Sequence, residues 1–284
     1  MSIIAAYALP HPPLIIPSVG HGEERAIQDT IDAYREVARR VADHVPDTVV
    51  VASPHATSYY DYFHIAPGEA ALGSMATFGA PEERLSVRYD TEFVQALSAA
   101  AAAAGLAAGT EGARDAALDH ASFVPLWFLS QKSIDYRVVR LGLSGLSAQK
   151  HYELGQTIAQ VAAELDRRVV FIASGDLSHK LTKEGPYGFS EEGPVFDWEI
   201  SEIFMSGKLR ELLEFDNDFC EAAAECGMRS FQIMAGVLAG LQYTAELLSY
   251  EGPFGVGYGI AAFEVARDPV GDTPPEKGRG SCSG

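Results

Sequence analysis

"RRVVFIASGDLSH", residues 167–179, carries an unbroken apolar run, Val169 to Ala173, that stops at Ser-Gly-Asp and closes on a histidine. A strand that alternates apolar and polar residues has one wet face. A strand without alternation is covered on both faces, as in a parallel sheet. Three more runs have the same form: "SIIAAYAL" (2–9), "DTVVVAS" (47–53) and "DYRVVRLGL" (135–143). Helical patterns lie between them. Ile27, Ile31, Tyr34, Val37 and Val41 recur at helical spacing within 23–44. Residues 91–104 are alanine-rich and stop at Gly105, and 150–165 repeat the pattern with Leu154, Ile158, Val161 and Leu165. Strands alternating with such helices predict an α/β fold, a three-layer sandwich around a mainly parallel central sheet.

Two regions break this rhythm. Residues 57–90 are rich in aromatics, Gly and Pro. They read as a long excursion with a small hairpin formed by "YFHIAPG" and "RLSVRYD". Residues 243–266 read as two strands joined by a Gly/Pro turn, an antiparallel C-terminal hairpin added to the sheet. The sequence thus predicts one folded domain over 1–266, followed at 267–284 by a polar, Pro/Gly-rich disordered tail or truncated linker.

Composition narrows the function. The formal charge of -18 over 284 residues repels phosphate backbones and anionic membranes, so neither nucleic acid nor a membrane is an expected partner. No apolar run approaches the ~18 residues that a membrane helix needs. The start lacks a basic n-region, and prolines interrupt it. Three cysteines in so long a chain make no disulfide framework, so the expected compartment is the reducing cytoplasm.

The chemistry gathers at strand ends. His11 in "ALPHPPLIIP", His55 in "VVVASPHATS" and His179 all follow predicted parallel strands, where open α/β sheets bind ligands. Pro10 and Pro54 precede His11 and His55 at the same offset and stiffen the exit of each, as a metal ligand requires. His120 sits behind Asp119 at the start of an apolar helical run. A third ligand is open among Asp176, Glu225, Glu251 and Glu264. Glu225 lies beside Cys226 at a glycine-interrupted helical pattern, and Asp176 suits orienting His179. His21, His44, His64 and His151 are read as structural. "DLSH" makes no serine-hydrolase pair, because adjacent residues on a strand point to opposite faces. The glycines at 252–259 lack the Lys-Ser/Thr of a phosphate loop and are read as a hairpin turn.

In order, "PHPPLIIP", "SPHATSYYDYFHI", "LDHASFVPLWF", "IASGDLSHKL" and "AAAECGMRSF" resemble the LigB-type (class III) extradiol dioxygenase superfamily over about residues 1–266. Within it they most resemble the LigB-like domain of AmmeMemoRadiSam system protein A, with the Memo proteins as more distant relatives. The resemblance implies an α/β sandwich and a non-haem Fe(II) held by His11, His55 and Glu225. It also implies His179 as catalytic acid/base and His120 lining the pocket. The implied reaction is extradiol-type oxygenation of a catechol-like small molecule by dioxygen. Memo-like relatives carry a cysteine in this region, and Cys226 adjoins Glu225; a thiolate with two imidazoles suits Zn or Cu better than Fe(II). The alternatives are therefore a Zn-dependent hydrolase on the same pocket, or a Memo-like metal-binding or redox module without ring cleavage. The family context also implies a functional link to a radical-SAM protein, and a homo-oligomer is compatible with the sequence.

Overall fold

The computed structural model describes residues 2–114 and 117–266; the expected tail at 267–284 lies outside the described residues. Strands β1 (Ile3–Leu9), β2 (Thr48–Ser53), β3 (Phe63–His64), β4 (Ala70–Met75), β5 (Ala80–Arg88), β6 (Ala108–Gly109), β7 (Ala117–Leu118), β8 (Arg137–Gly142), β9 (Val169–Ser174), β10 (Tyr243–Glu251) and β11 (Tyr258–Val265) build the sheets. The helices are α1 (Pro17–Gly20), α2 (Gln28–His44), α3 (Thr91–Ala103), α4 (His120–Ser130), α5 (Ala148–Glu164), α6 (Glu192–Ser206), α7 (Asn217–Ala223) and α8 (Met228–Val237).

The central sheet runs β10-β11-β1-β9-β2-β8. Its four non-alternating strands, β1, β9, β2 and β8, pair in parallel. The C-terminal hairpin adds β11 antiparallel to β1 and β10 antiparallel to β11. Two apolar cores explain the missing alternation. Ala6, Ala8, Val50, Ala52, Phe171 and Ala173 face a cluster that includes Phe93 of α3, Leu154 of α5, Phe196 of α6 and Phe231 of α8. Tyr7, Leu9, Val49, Val51, Val170 and Ile172 face Tyr34 and Val37 of α2 and Phe123 and Leu126 of α4 on the other side. Odd and even positions are both buried, each against its own helical layer, at about 1.5–3 kcal/mol per large side chain.

Residues 57–90 correct one expectation. The second arm of the small hairpin is β5, as predicted, but the first arm is β4 rather than "YFHIAPG". Phe63, His64 and Ile65 are fully covered, and β3 pairs in parallel with β6. "AALGSM" alternates exposed and buried positions and so fits a strand with one wet face. The helix predicted from residue 23 opens as a 3-10 turn, Glu23–Ile27, before α2 begins.

Candidate active site

Three adjacent parallel strands, β1, β9 and β2, end side by side. They deliver His11 two residues past Leu9, Asp176 two past Ser174, and His55 two past Ser53. The ring centroids of His11 and His55 lie 5.0 Å apart at 88°. His120, the first residue of α4, joins them with its centroid 4.3 Å from that of His55 and 5.4 Å from that of His11. Asp119 caps this helix by accepting from the Ser122 amide at 2.9 Å, and the Ser53 hydroxyl donates to the same carboxylate at 2.6 Å. Ser174 likewise donates to the Ala121 carbonyl at 2.7 Å, so both strand ends are strapped to the start of α4.

That strap fixes the His11 tautomer. The Ser174 hydroxyl has one proton, and it goes to Ala121. Its oxygen therefore accepts from His11 Nδ1 at 3.0 Å, and the lone pair of His11 sits on Nε2. The backbone is held as firmly: the His11 amide donates to Asp176 Oδ1 at 2.7 Å, and the Tyr34 hydroxyl donates to the Pro10 carbonyl. Burial pushes the His11 pKa down to about 4 against the opposing pull of Asp176, so the imidazole is neutral at pH 7.

At the third corner the structure brings Cys226, rather than Glu225, next to the two histidines. Cys226 Sγ lies 3.7 Å from His11 Nε2, and donor atoms of His11, His55 and Cys226 all fall within 4.8 Å of one another. Glu225 is not in that group. Its carboxylate accepts from the Met228 amide at 2.6 Å and closes the open N-terminus of α8. Burial pushes its pKa up. The free amides at the start of α8 are its hydrogen-bond partner, and they favour its negative charge. Cys226 is brought in by backbone contact. A Cβ on Gly175 would stand 2.1 Å from Gly227 Cα, so the two loops touch through a pair of glycines. At this contact the Asp176 amide donates to Cys226 Sγ at 3.2 Å.

Asp176 also links the donors to His179. Asp176 Oδ2 lies 3.7 Å from His179 Nε2, and Asp176, His179 and Cys226 form a second donor group that shares the thiol. Burial opposes charge on Asp176, but His11 and His179 outweigh it and hold the carboxyl below its usual range. His179 Nδ1 donates to the Ala224 carbonyl at 2.5 Å. Burial would lower its pKa; the Asp176 carboxylate outweighs this and raises it. Burial lowers His120 instead.

A cavity of about 730 Å³ opens beside the donors, lined by Pro54, Leu143, Leu146, Phe215, Cys226 and Arg229 among others. Of the aromatics in the 57–90 excursion, Phe78 reaches the site, its ring centroid 5.3 Å from that of His120. The remaining carboxylate candidates are engaged elsewhere: Glu251 accepts from Thr30, and Glu264 pairs with His44 and Tyr7. His151 is buried and bonded to the Ser147 carbonyl. Sequence reasoning missed Ser174 and Gly175, and read Gly227 only as a break in a helical pattern. The signal available was the Ala-Ser that ends both "VVVAS" and "VVFIAS" just before the site.

Residues 5–261 match the family model described as the catalytic LigB subunit of aromatic ring-opening dioxygenase. Protein CA_C1420 of Clostridium acetobutylicum is 34% identical over 272 residues, which are 93% of this chain and 58% of that protein, so the chain spans little more than half of its length. The 3,4-dihydroxyphenylacetate 2,3-dioxygenase of Escherichia coli is 23% identical, covering 82% of this chain and 88% of the enzyme. A MEMO1 family protein of Thermococcus onnurineus is 28% identical, covering 87% and 84%. Among solved structures, the crystal structure of uncharacterized protein JW3007 from Escherichia coli K12 superposes with a TM-score of 0.56 at 15% identity, covering 91% of this chain and 99% of that one. It supports the fold.

Proposed function

Because the chain belongs to the family of the catalytic LigB subunit of aromatic ring-opening dioxygenases, we propose that it is a metal-dependent extradiol-type dioxygenase acting on a catechol-like small molecule with dioxygen and Fe(II). The observation that supports this reading is the pairing of His11 and His55 at the ends of β1 and β2, ring centroids 5.0 Å apart, with Asp176 and His179 beside them. The site fits a metal ion: with Cys226, donor atoms within 4.8 Å of one another would hold one, His11 is neutral with its lone pair on Nε2, and its other ring nitrogen is anchored. Held there, a metal would supply Lewis-acid activation at open coordination positions.

The chain's own residues do the rest. His179 takes a substrate hydroxyl proton at Nε2 and returns it later, a contribution of roughly 10²–10⁴-fold. Its Nδ1–H stays on Ala224, so the ring keeps its orientation in both states. Asp176 favours the charged form. His120 and Phe78 form one wall, and the cavity beyond Cys226 receives the remainder of the substrate. Anaerobic Fe(II) loading followed by oxygen uptake with a panel of catechols tests the reading. We expect uptake matched by a ring-cleavage chromophore; stoichiometric iron without turnover of any catechol refutes the reaction.

Cys226 at the third corner favours one alternative. Two imidazoles and a thiolate suit Zn or Cu, so a Zn-dependent hydrolase or a Memo-like redox module is the second reading. Stoichiometric zinc or copper in protein purified without added metal supports it. The functional link to a radical-SAM protein, the cytoplasmic location and a homo-oligomer belong to the same proposal.

A further inference from the structure

We propose that Asp197 is the positioning residue that sets His179 for proton transfer. This rests on His179 being the acid/base of the reaction above. The segment carrying His179 leaves the sheet after β9, and its successive amides bind different elements. Leu177 donates to the Gly257 carbonyl at 2.9 Å, His179 to the Ala223 carbonyl at 3.2 Å and Leu181 to the Gly255 carbonyl at 3.1 Å. The Lys180 amide donates to Ser178 Oγ at 3.0 Å. Two amides use side chains from outside the segment: Asp176 donates to Cys226 Sγ at 3.2 Å, and Ser178, next to His179, donates to Asp197 Oδ1 at 2.7 Å. The amide of the Leu177–Ser178 peptide plane is therefore held by one carboxylate, and the next plane, which enters His179, is held by the Gly257 amide and the Ala223 carbonyl.

That carboxylate is itself held. Asp197 is 1% exposed on α6 among the core residues Phe196, Ile200 and Ile203. Its Oδ2 accepts from the Tyr250 hydroxyl of β10 at 2.7 Å. A Cβ on Gly257 would stand 1.9 Å from that oxygen, so the carboxylate packs directly on bare backbone. Burying a carboxylate is costly, and a well-packed apolar side chain at this place would serve stability as well or better. Its geometry instead serves the loop. A chain of four contacts runs from Tyr250 through Asp197 and Ser178 to His179, whose ring then meets the Ala224 carbonyl and Asp176. None of these contacts involves His11, His55 or Cys226, so loss of Asp197 should move the proton carrier and leave the metal donors in place.

The test compares Asp197→Ala and Asp197→Asn in the metal-loaded protein. The asparagine keeps an acceptor oxygen for the Ser178 amide. We expect both variants to bind metal with the wild-type stoichiometry and to keep KM within about twofold. Asp197→Ala should lower kcat by about 10²-fold, as a misplaced catalytic group does, and Asp197→Asn should restore it to within about fivefold of wild type. A second readout does not depend on turnover. The His179 ring N–H, bonded to Ala224, should give a slowly exchanging 15N-coupled proton in wild type and Asp197→Asn, and lose it in Asp197→Ala. An unchanged ring signal in Asp197→Ala overturns the inference even if catechols are turned over. A wild type that turns over no catechol refutes the reaction, while the ring signal still decides the positioning. Should the alanine variant not fold, Tyr250→Phe, which removes one of the two donors to the carboxylate, must broaden the ring signal and lower kcat severalfold; wild-type behaviour there overturns the inference.

Discussion

Gly175→Ala is the sharpest perturbation of the site, because it touches no proposed ligand. The new methyl group would stand 2.1 Å from Gly227 Cα, whereas ordinary contact begins at 3.4 Å. The two loops must therefore part by about 1.3 Å. One loop carries Asp176 and the other Cys226, so the opening goes directly into the 3.2 Å hydrogen bond from the Asp176 amide to Cys226 Sγ. It also moves the thiol away from His11 Nε2, now 3.7 Å distant. Ligand positions tolerate shifts of about 0.5 Å, so one donor of three is lost. Metal affinity should fall by at least about 10²-fold. Overpacking of this kind costs about 1–3 kcal/mol, or a drop in Tm of roughly 3–10 °C for a chain of this size. Competition titration against a chromophoric chelator and thermal unfolding of the metal-free protein measure the two effects separately. Wild-type affinity in a folded Gly175→Ala protein would refute the argument that the glycine pair brings Cys226 to the histidines.

Three further outcomes follow from the same geometry. Cys226→Ala should weaken metal binding by more than about 10²-fold while Glu225→Gln, which keeps an acceptor for the Met228 amide, stays within about threefold; equal losses would restore Glu225 as the third donor. Ser174→Ala removes the acceptor that fixes His11 Nδ1–H and should lower metal affinity about 10–100-fold, as measured by the same titration. His11 and His151 are held neutral in the fold, each with its pKa depressed to about 4. The unfolded chain takes up their protons first, near pH 6.5, so the metal-free protein loses stability as pH falls from about 6.5 to 4. The slope is about 1.4 kcal/mol per pH unit for each. Denaturant midpoints across that range should show a shallower slope in His151→Phe, and an unchanged slope would contradict the assignment.

Much of this protein is fixed locally. Strands such as "VVVAS" and "VVFIAS" are apolar at every position, and that pattern alone demands cover on both faces; two cores on opposite sides of the sheet supply it. The exits at His11 and His55 were legible because proline constrains the backbone next to it, whatever the rest of the chain does. The hairpin at residues 243–266 was legible for a similar reason, since its turn residues act over a few positions. The first arm of the small hairpin was not, because "YFHI" and "AALGSM" are both strand-like, and only their packing partners distinguish a covered strand from a half-exposed one. The choice between Glu225 and Cys226 is of the same kind. Adjacent residues share every local preference that sequence can express, yet one side chain caps α8 and the other faces His11. Two glycines, 52 positions apart, decide which. Sequence set the strand ends and their histidines, because backbone stiffness is a short-range property. Tertiary structure decided which side chain lies beside the histidines, because that depends on how closely two distant loops can approach.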